Sequence, residues 1–188
     1  MSDLISVAVI GKSAGELATA LDISPAPLEG ADAALFIVSA IDGIVRADID
    51  AWSAAREMYV PSIVVISETD NADLDFDDMT AIASKMLDPV ATRYLVLHSD
   101  VGSATALIDL ATLKIIDYSN GSAVISESDQ EHKDLVGEYV NEYHDRVEEA
   151  GEEGFIQGLL FPALPWIKNS ELGLDQIREL LRQIPTIR

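Results

Sequence analysis

A glycine–lysine–serine sequence follows the first apolar run of the chain, and proteins bind phosphate groups with these residue types. The three residues are Gly11, Lys12 and Ser13. A phosphate-binding loop has the pattern Gly-x4-Gly-Lys-Ser/Thr: backbone N–H groups surround the phosphates, the lysine neutralises them and the hydroxyl holds magnesium. If Lys12 were that lysine, Ser6 would stand in place of the first glycine, and no loop would separate the lysine from the strand. We interpret this stretch as a false match.

Placing the first glycine of the pattern at Gly11 also fails to produce a phosphate site. Glu16 then replaces the second glycine, Leu17 the lysine and Ala18 the magnesium ligand. A carboxylate facing a triphosphate is repulsive, and no cation in this register offsets it. The sequence therefore predicts a degenerate loop, of which Gly11 is the remaining position.

A second candidate follows the apolar run at residues 62–66. Many guanine-nucleotide-binding proteins have Asn-Lys-x-Asp at the end of such a strand, and the last aspartate hydrogen-bonds the base. Here Ser67 replaces the asparagine and Glu68 the lysine, while Asp70 retains the aspartate. Asp and Asn are also the residues that favour turns. We favour a turn or cap role for Asp70, and residual base binding remains the alternative.

Other catalytic and metal sites are not indicated. His132 and His144 are twelve positions apart, more than three helical turns, which is outside chelating spacing. The acidic run at residues 70–78 lacks the glycine and the bidentate glutamate of a calcium-binding loop. No Gly-x-Ser-x-Gly sequence is present. We therefore predict no catalytic residue, no metal ligand and no cofactor.

The acidic composition of the chain limits the classes of partner that it can bind. The 188 residues include 33 Asp and Glu but only 12 Lys and Arg, a formal net charge of −21, and there is no cysteine. Such a surface repels phosphate backbones and anionic lipid, so we expect no direct nucleic-acid or membrane binding. No basic segment precedes the first apolar run, which is too short to span a bilayer. A cytoplasmic location is the expectation.

The elements that would position these residues alternate between strands and helices. Apolar, β-branched runs at residues 4–11, 33–40 and 62–67 predict strands buried on both faces. Between them, residues 14–21 and 48–58 predict helices, and residues 76–87 predict a third with Asp75 as its N-cap. This alternation predicts an α/β fold with a mostly parallel sheet flanked by helices.

The middle of the chain has a different pattern. Residues 93–99 read as a strand, and two further strand runs flank Asn120–Gly121, a strong hairpin signal. A long charged helix is predicted over residues 129–154, with Leu135 and Val136 on its apolar side. A last strand over residues 158–167 contains Pro162, which favours a sheet edge or the end of the strand. The final predicted helix stops at Pro185.

From Ala31 onward the chain resembles the G domain of elongation factor G and of elongation factor G-like proteins. The matching stretches are ADAALFIVSAIDGI, the helix with Trp52, VPSIVVISETD, and LLFPALPWIKNSELGLDQIRELL near the end. The resemblance implies a P-loop NTPase-like fold with a small inserted β-hairpin and helix subdomain. We expect one domain over residues 1–188, with the insert at residues 90–153.

The resemblance also identifies what is missing. Only residues 22–30 stand where the family has switch I and its Asp-x-x-Gly-His element. Residues 10–16 align equally well with that element itself, so the first strand can correspond to either family strand. Pro165 replaces the serine of the Ser-Ala loop, which leaves the backbone N–H of Trp166 as a residual base contact.

We therefore expect a non-catalytic GTPase-like protein that acts as an interaction or scaffold module with little or no nucleotide binding. The alternative is a weak GTP- or GDP-binding protein, with magnesium, that acts with a partner such as the ribosome. In the family, the missing segment supplies an edge of the sheet. Its loss would leave the first strand at an open edge with unpaired N–H and C=O groups, so we expect a homodimer or a protein partner at Ile5, Val7 and Val9.

Overall fold

The computed structural model describes residues 5–69 and 73–185, which form an α/β fold with two β-sheets. The strands are β1 (Val7–Gly11), β2 (Ala33–Ser39), β3 (Ser62–Ser67), β4 (Val90–Thr92), β5 (Tyr94–His98), β6 (Ala104–Asp109), β7 (Lys114–Asp117), β8 (Val124–Glu127) and β9 (Phe161–Trp166). The helices are α1 (Ala14–Leu21), α2 (Arg46–Glu57), α3 (Phe76–Met86), α4 (Gln130–Leu135), α5 (Gly137–Ala150) and α6 (Leu174–Arg182).

The larger sheet has the strand order β1-β2-β3-β9-β4, and all its pairings are parallel. Helices α1 and α6 pack on one face and α2 and α3 on the other. Because both faces are covered, every residue of β2 and β3 is buried, as their continuous apolar runs predict. The predicted α/β fold with a mostly parallel sheet flanked by helices is confirmed.

The smaller sheet is antiparallel, with the order β5-β6-β7-β8, and the β7–β8 hairpin turns through the predicted Asn120–Gly121. Strand β6 was not predicted from the sequence. The inserted region was predicted to begin at residue 90, but residues 90–92 form β4, which pairs with β9 in the parallel sheet. The antiparallel strands begin at Tyr94.

The long charged helix predicted over residues 129–154 is two helices. Helix α4 ends at Leu135 and α5 begins at Gly137. Val136, between them, is buried against Leu95, Ile108 and Leu110, whereas the neighbouring Leu135 is 70% exposed. Placing Leu135 on the apolar side was therefore wrong.

Strand β9 lies between β3 and β4, so the prediction that Pro162 marks a sheet edge was wrong; it stands near the start of the strand. The pairing of β3 with β9 begins at Ala163, and the pairing of β4 with β9 ends at the same residue. Pro162 thus has no partner in β3, and Pro165 has none in β4. Proline has no backbone N–H to donate, and each of these two prolines stands where β9 pairs with a strand on one side only. No helix among the described residues is long and apolar enough to cross a membrane.

Candidate functional site

The carboxyl ends of β1, β2 and β3 form the edge of the sheet at which α/β proteins usually bind ligands. Strand β1 ends at Gly11 and α1 begins at Ala14, so only Lys12 and Ser13 connect them. Ser13 has a left-handed backbone, with φ 63°. A connection of two residues is too short to surround a phosphate chain with N–H groups, as a phosphate-binding loop does.

Lys12 is held at this edge by carboxylates of the chain itself. Its ammonium group contacts the carboxylate of Asp42, and its Nζ lies 3.9 Å from Oε2 of Glu68. The hydrogen bond with Asp42 raises the pKa of Lys12 and lowers the pKa of Asp42. The positive charge of Lys12 is therefore already balanced by groups that would repel a phosphate.

Ser39, at the end of β2, extends this network. Oε2 of Glu68 accepts a hydrogen bond of 2.5 Å from Oγ of Ser39. The same Oγ accepts hydrogen bonds from the N–H groups of Ile41 and Asp42, at 3.2 and 3.1 Å. We call Lys12, Ser39, Asp42 and Glu68 the Lys12 network. It joins the carboxyl ends of β1, β2 and β3. Its four residues come from three separate segments of the sequence and do not belong to one sequence motif.

Gly11 has a packing role at this edge. Its φ is +108°, and an added Cβ would lie 2.3 Å from the carbonyl oxygen of Ile37. Only glycine allows β1 to approach β2 this closely with that backbone conformation. The contact explains Gly11 without a phosphate ligand.

The residues in the phosphate-loop register face away from any such ligand. Leu17 and Ala18 are buried in the core under α1. Oε2 of Glu16 lies 2.9 Å from Nζ of Lys168, and this hydrogen-bonded ion pair lowers the pKa of Glu16. The two positions that would supply cation and hydroxyl are thus aliphatic and inaccessible.

The base-binding candidates are only partly brought together. Strands β3 and β9 pair Ser67 with Trp166, so these two residues are neighbours. Ser67 is buried, and its Oγ lies 3.5 Å from the carbonyl oxygen of Val38 in β2. Asp70 lies outside the described residues. The side chain of Ser67 is oriented toward the adjacent strand.

Trp166 is buried, and among the described residues no group accepts a hydrogen bond from its Nε1. The Nζ of Lys168 lies 6.0 Å from the centre of its ring. Beside it is an open polar cavity of about 880 Å³ between α1, the β7–β8 turn and the loop after β9. Sequence reasoning did not identify this cavity, because its lining comes from three distant segments and includes Glu16, Tyr118, Lys168, Asn169 and Glu171.

The described residues, 5–69 and 73–185, contain no cluster of side chains that would bind a metal ion. No group of three or more His, Asp or Glu side chains in these ranges is arranged to hold an ion. His132 binds Asp129 through its Nδ1 at 2.7 Å, as part of the first turn of α4. His144 contacts the ring of Tyr143, and His98 ends β5.

Sequence reasoning also missed the Lys12 network. Glu68 was interpreted as a failed motif position, although Ser39 and Glu68 each stand at the end of a predicted strand. That shared position was the available signal, since the carboxyl ends of parallel strands meet at one edge of a sheet.

Solved structures of other proteins resemble this chain, and one of them illustrates the likeness. A crystal structure of a protein from Thermus thermophilus is 26% identical in sequence, with a TM-score of 0.73. The match covers 85% of this chain and 27% of that protein, so the chain corresponds to about a quarter of its length. No protein-family model and no curated protein matches the sequence.

Proposed function

We propose that this chain is a non-catalytic, GTPase-like protein related to the G domain of elongation factor G, and that it acts as an interaction module. In this proposal the P-loop NTPase-like sheet is retained, but its ligand edge is closed by the protein's own side chains. The single observation that carries the proposal is the Lys12 network at the carboxyl ends of β1, β2 and β3.

The network opposes nucleotide binding for an electrostatic reason. A triphosphate at this edge would need cationic and N–H groups, whereas it would meet Asp42 and Glu68, with Lys12 already engaged between them. Binding would have to break that contact and bring like charges together. The two-residue turn before α1 supplies too few N–H groups to compensate.

Residual base contacts do not offset this loss. Two hydrogen bonds to a guanine, from Asp70 and the backbone of Trp166, would contribute about 1–3 kcal/mol each, against an association cost of roughly 4 kcal/mol or more. We therefore expect a Kd no tighter than about 1 mM for GTP or GDP.

Calorimetric titration with GTP and GDP in the presence of Mg²⁺ tests the proposal. We expect no measurable binding, and the same result for Lys12→Ala and for a control at the exposed Lys85, Lys85→Ala. Micromolar binding that Lys12→Ala abolishes and Lys85→Ala preserves would overturn it. That result would favour the alternative, a weak guanine-nucleotide-binding protein that acts with a partner such as the ribosome.

A further inference from the structure

Strand β1 lies at one edge of the parallel sheet, and among the described strands it pairs with β2 alone. The backbone groups of a strand point alternately to its two sides. The carbonyl of Ser6 accepts hydrogen bonds from Asp32 and Ala33, on the β2 side. Val7 and Val9 therefore present their N–H and C=O groups to the outer side of the sheet, and Gly11 presents its N–H there.

The start of this outer edge is covered by the chain. The carbonyl of Val7 accepts a hydrogen bond of 2.8 Å from the N–H of Ala26, in the segment between α1 and β2. No backbone group of residues 5–69 or 73–185 makes a corresponding bond to Val9 or Gly11 on that side. Ile5 precedes the strand. The open part of the edge is thus Val9–Gly11, closer to the carboxyl end than the predicted interface of Ile5, Val7 and Val9.

An open, mainly apolar cavity of about 590 Å³ adjoins this part of β1. Its apolar lining comes from Ile10, Ile37, Val45 and Ala47, and Val45 is 52% exposed. Asp42 and Asp48 also line it, together with Lys12. An unpaired strand edge therefore lies next to a space that fits an apolar side chain and has carboxylates at its rim.

We propose that Val9–Gly11 and this cavity together accept an extended segment of another protein, which adds a strand to the parallel sheet. The backbone of the segment pairs with Val9 and Gly11, one of its apolar side chains occupies the cavity, and a Lys or Arg lies near Asp42 and Asp48. Strand addition of this kind draws affinity from main-chain hydrogen bonds and specificity from side-chain pockets. The inference rests on the proposed function, because an interaction module requires such a surface.

Charge distinguishes between the two candidate partners at this edge, a second copy of the chain and a segment of a different protein. A second copy of this chain would bring the same net charge of −21 to the edge, and its own β1 contains no Lys or Arg. Like-charged surfaces of this size repel each other. A basic segment of a different protein is attracted by the same field, so the structure favours a basic partner over a homodimer.

The test uses a capped alternating peptide, acetyl-KVKVKV-amide, with the complete protein. In an extended strand all its lysine N–H groups point to one side and all its valine N–H groups to the other. Two further peptides carry N-methyl groups on every lysine or on every valine, so all three have the same charge. We expect one methylated peptide to bind about tenfold or more weakly than the other. Equal affinities would show attraction by charge alone and overturn the proposal.

Amide hydrogen exchange then locates the site. In the unmodified protein, the unmethylated peptide should slow exchange at Val9 and Gly11 by about tenfold or more; protection confined to other residues would overturn the proposal. Val9→Pro, which removes one outward N–H, should weaken binding. Ile125→Pro, at the exposed outer strand β8 of the other sheet, should leave it unchanged.

Further measurements separate partner binding from dimer formation, and separate failure of this proposal from failure of the proposed function. Sedimentation velocity over a wide concentration range should show a monomer, and a dimer that Val9→Pro disrupts would overturn the partner assignment in favour of a second copy. Peptide binding is measured without nucleotide, so failure of the strand-addition proposal leaves the nucleotide titration intact. Micromolar GTP binding, in turn, would overturn the proposed function without affecting the peptide result.

Discussion

Gly173 lies so close to Pro165 that a Cβ added to it would come within 1.7 Å of the carbonyl oxygen of Pro165. Gly173 is the N-cap of α6, with φ +89°, and its N–H donates to Oε1 of Gln176 at 3.1 Å. Nε2 of Gln176 donates in turn to Oη of Tyr118 at 3.0 Å. This contact therefore joins the end of the parallel sheet to α6 and to the smaller sheet.

Replacing Gly173 with Ala should destabilise the protein by about 3 kcal/mol or more, because the backbone conformation is left-handed and the new Cβ would meet backbone atoms. Urea unfolding, followed by fluorescence of the buried tryptophans, measures the loss. Gly30→Ala is the matched control, since Gly30 has φ +84° but open space around it. It should cost only about 1–2 kcal/mol. Equal losses at the two positions would contradict the close contact.

The Arg93–Asp109 pair should make stability depend on pH. Nε and Nη2 of Arg93 donate to the two carboxylate oxygens of Asp109, at 3.0 and 2.9 Å. Although burial raises the pKa of Asp109, these bonds outweigh it and hold the pKa below its ordinary value of 3.8. A lowered pKa stabilises the fold above the unfolded-state pKa, and the contribution is lost as pH falls through the folded-state pKa.

The measurement compares the free energy of unfolding of the unmodified protein and Asp109→Asn over a series of pH values. At pH 7 we expect Asp109→Asn to cost about 2–3 kcal/mol, less than a fully buried pair, because Arg93 is partly exposed. The difference between the two proteins should shrink as the pH decreases below about 4. A difference that does not change with pH would show that the carboxylate charge is not responsible.

Asp88 should stabilise the packing of α2 against the region before β4. Its Oδ2 accepts hydrogen bonds from Nε1 of Trp52 at 2.8 Å and from Nε of Arg56 at 2.9 Å. Asp88→Ala leaves the indole N–H of the buried Trp52 without an acceptor and should cost about 2–3 kcal/mol. Asp88→Asn retains an acceptor and should cost about half as much in urea unfolding. Equal losses would mean that the indole bond contributes nothing.

The Lys12 network predicts a measurable titration. In carbon-13 NMR of the lysine Cε groups, Lys12 should titrate above its ordinary pKa of 10.5, because its ammonium donates to Asp42. Asp42→Asn should bring that pKa back toward the ordinary value. If Lys12 in the unmodified protein titrates at its ordinary value, the network does not hold the ammonium in solution.

The sequence was sufficient for the central strands β2 and β3 of the larger sheet. Continuous apolar runs at β2 and β3 leave no polar face, and such strands are stable only when helices cover both sides. The hairpin at Asn120–Gly121 was equally clear, because the turn between two neighbouring strands depends on local backbone preferences.

Other elements depended on distant neighbours. Val136 is buried and Leu135 exposed because the smaller sheet packs against one and not the other, and helical periodicity alone assigned both to the same side. Pro162 is tolerated inside the sheet because the ladder between β3 and β9 begins one residue later. Neither relationship can be derived from the local sequence.

By itself, the sequence determined that no intact phosphate-loop pattern begins at Gly11, since Glu16, Leu17 and Ala18 stand where that pattern needs a glycine, a lysine and a magnesium ligand. Only the tertiary structure decided which groups surround Lys12 at the end of β1. Lys12 contacts Asp42, thirty positions away, and approaches Glu68, farther still, because parallel strands bring their carboxyl ends to one edge. A charge interacts with whatever is nearest in space, so only the folded chain determines whether a lysine is free to bind a phosphate.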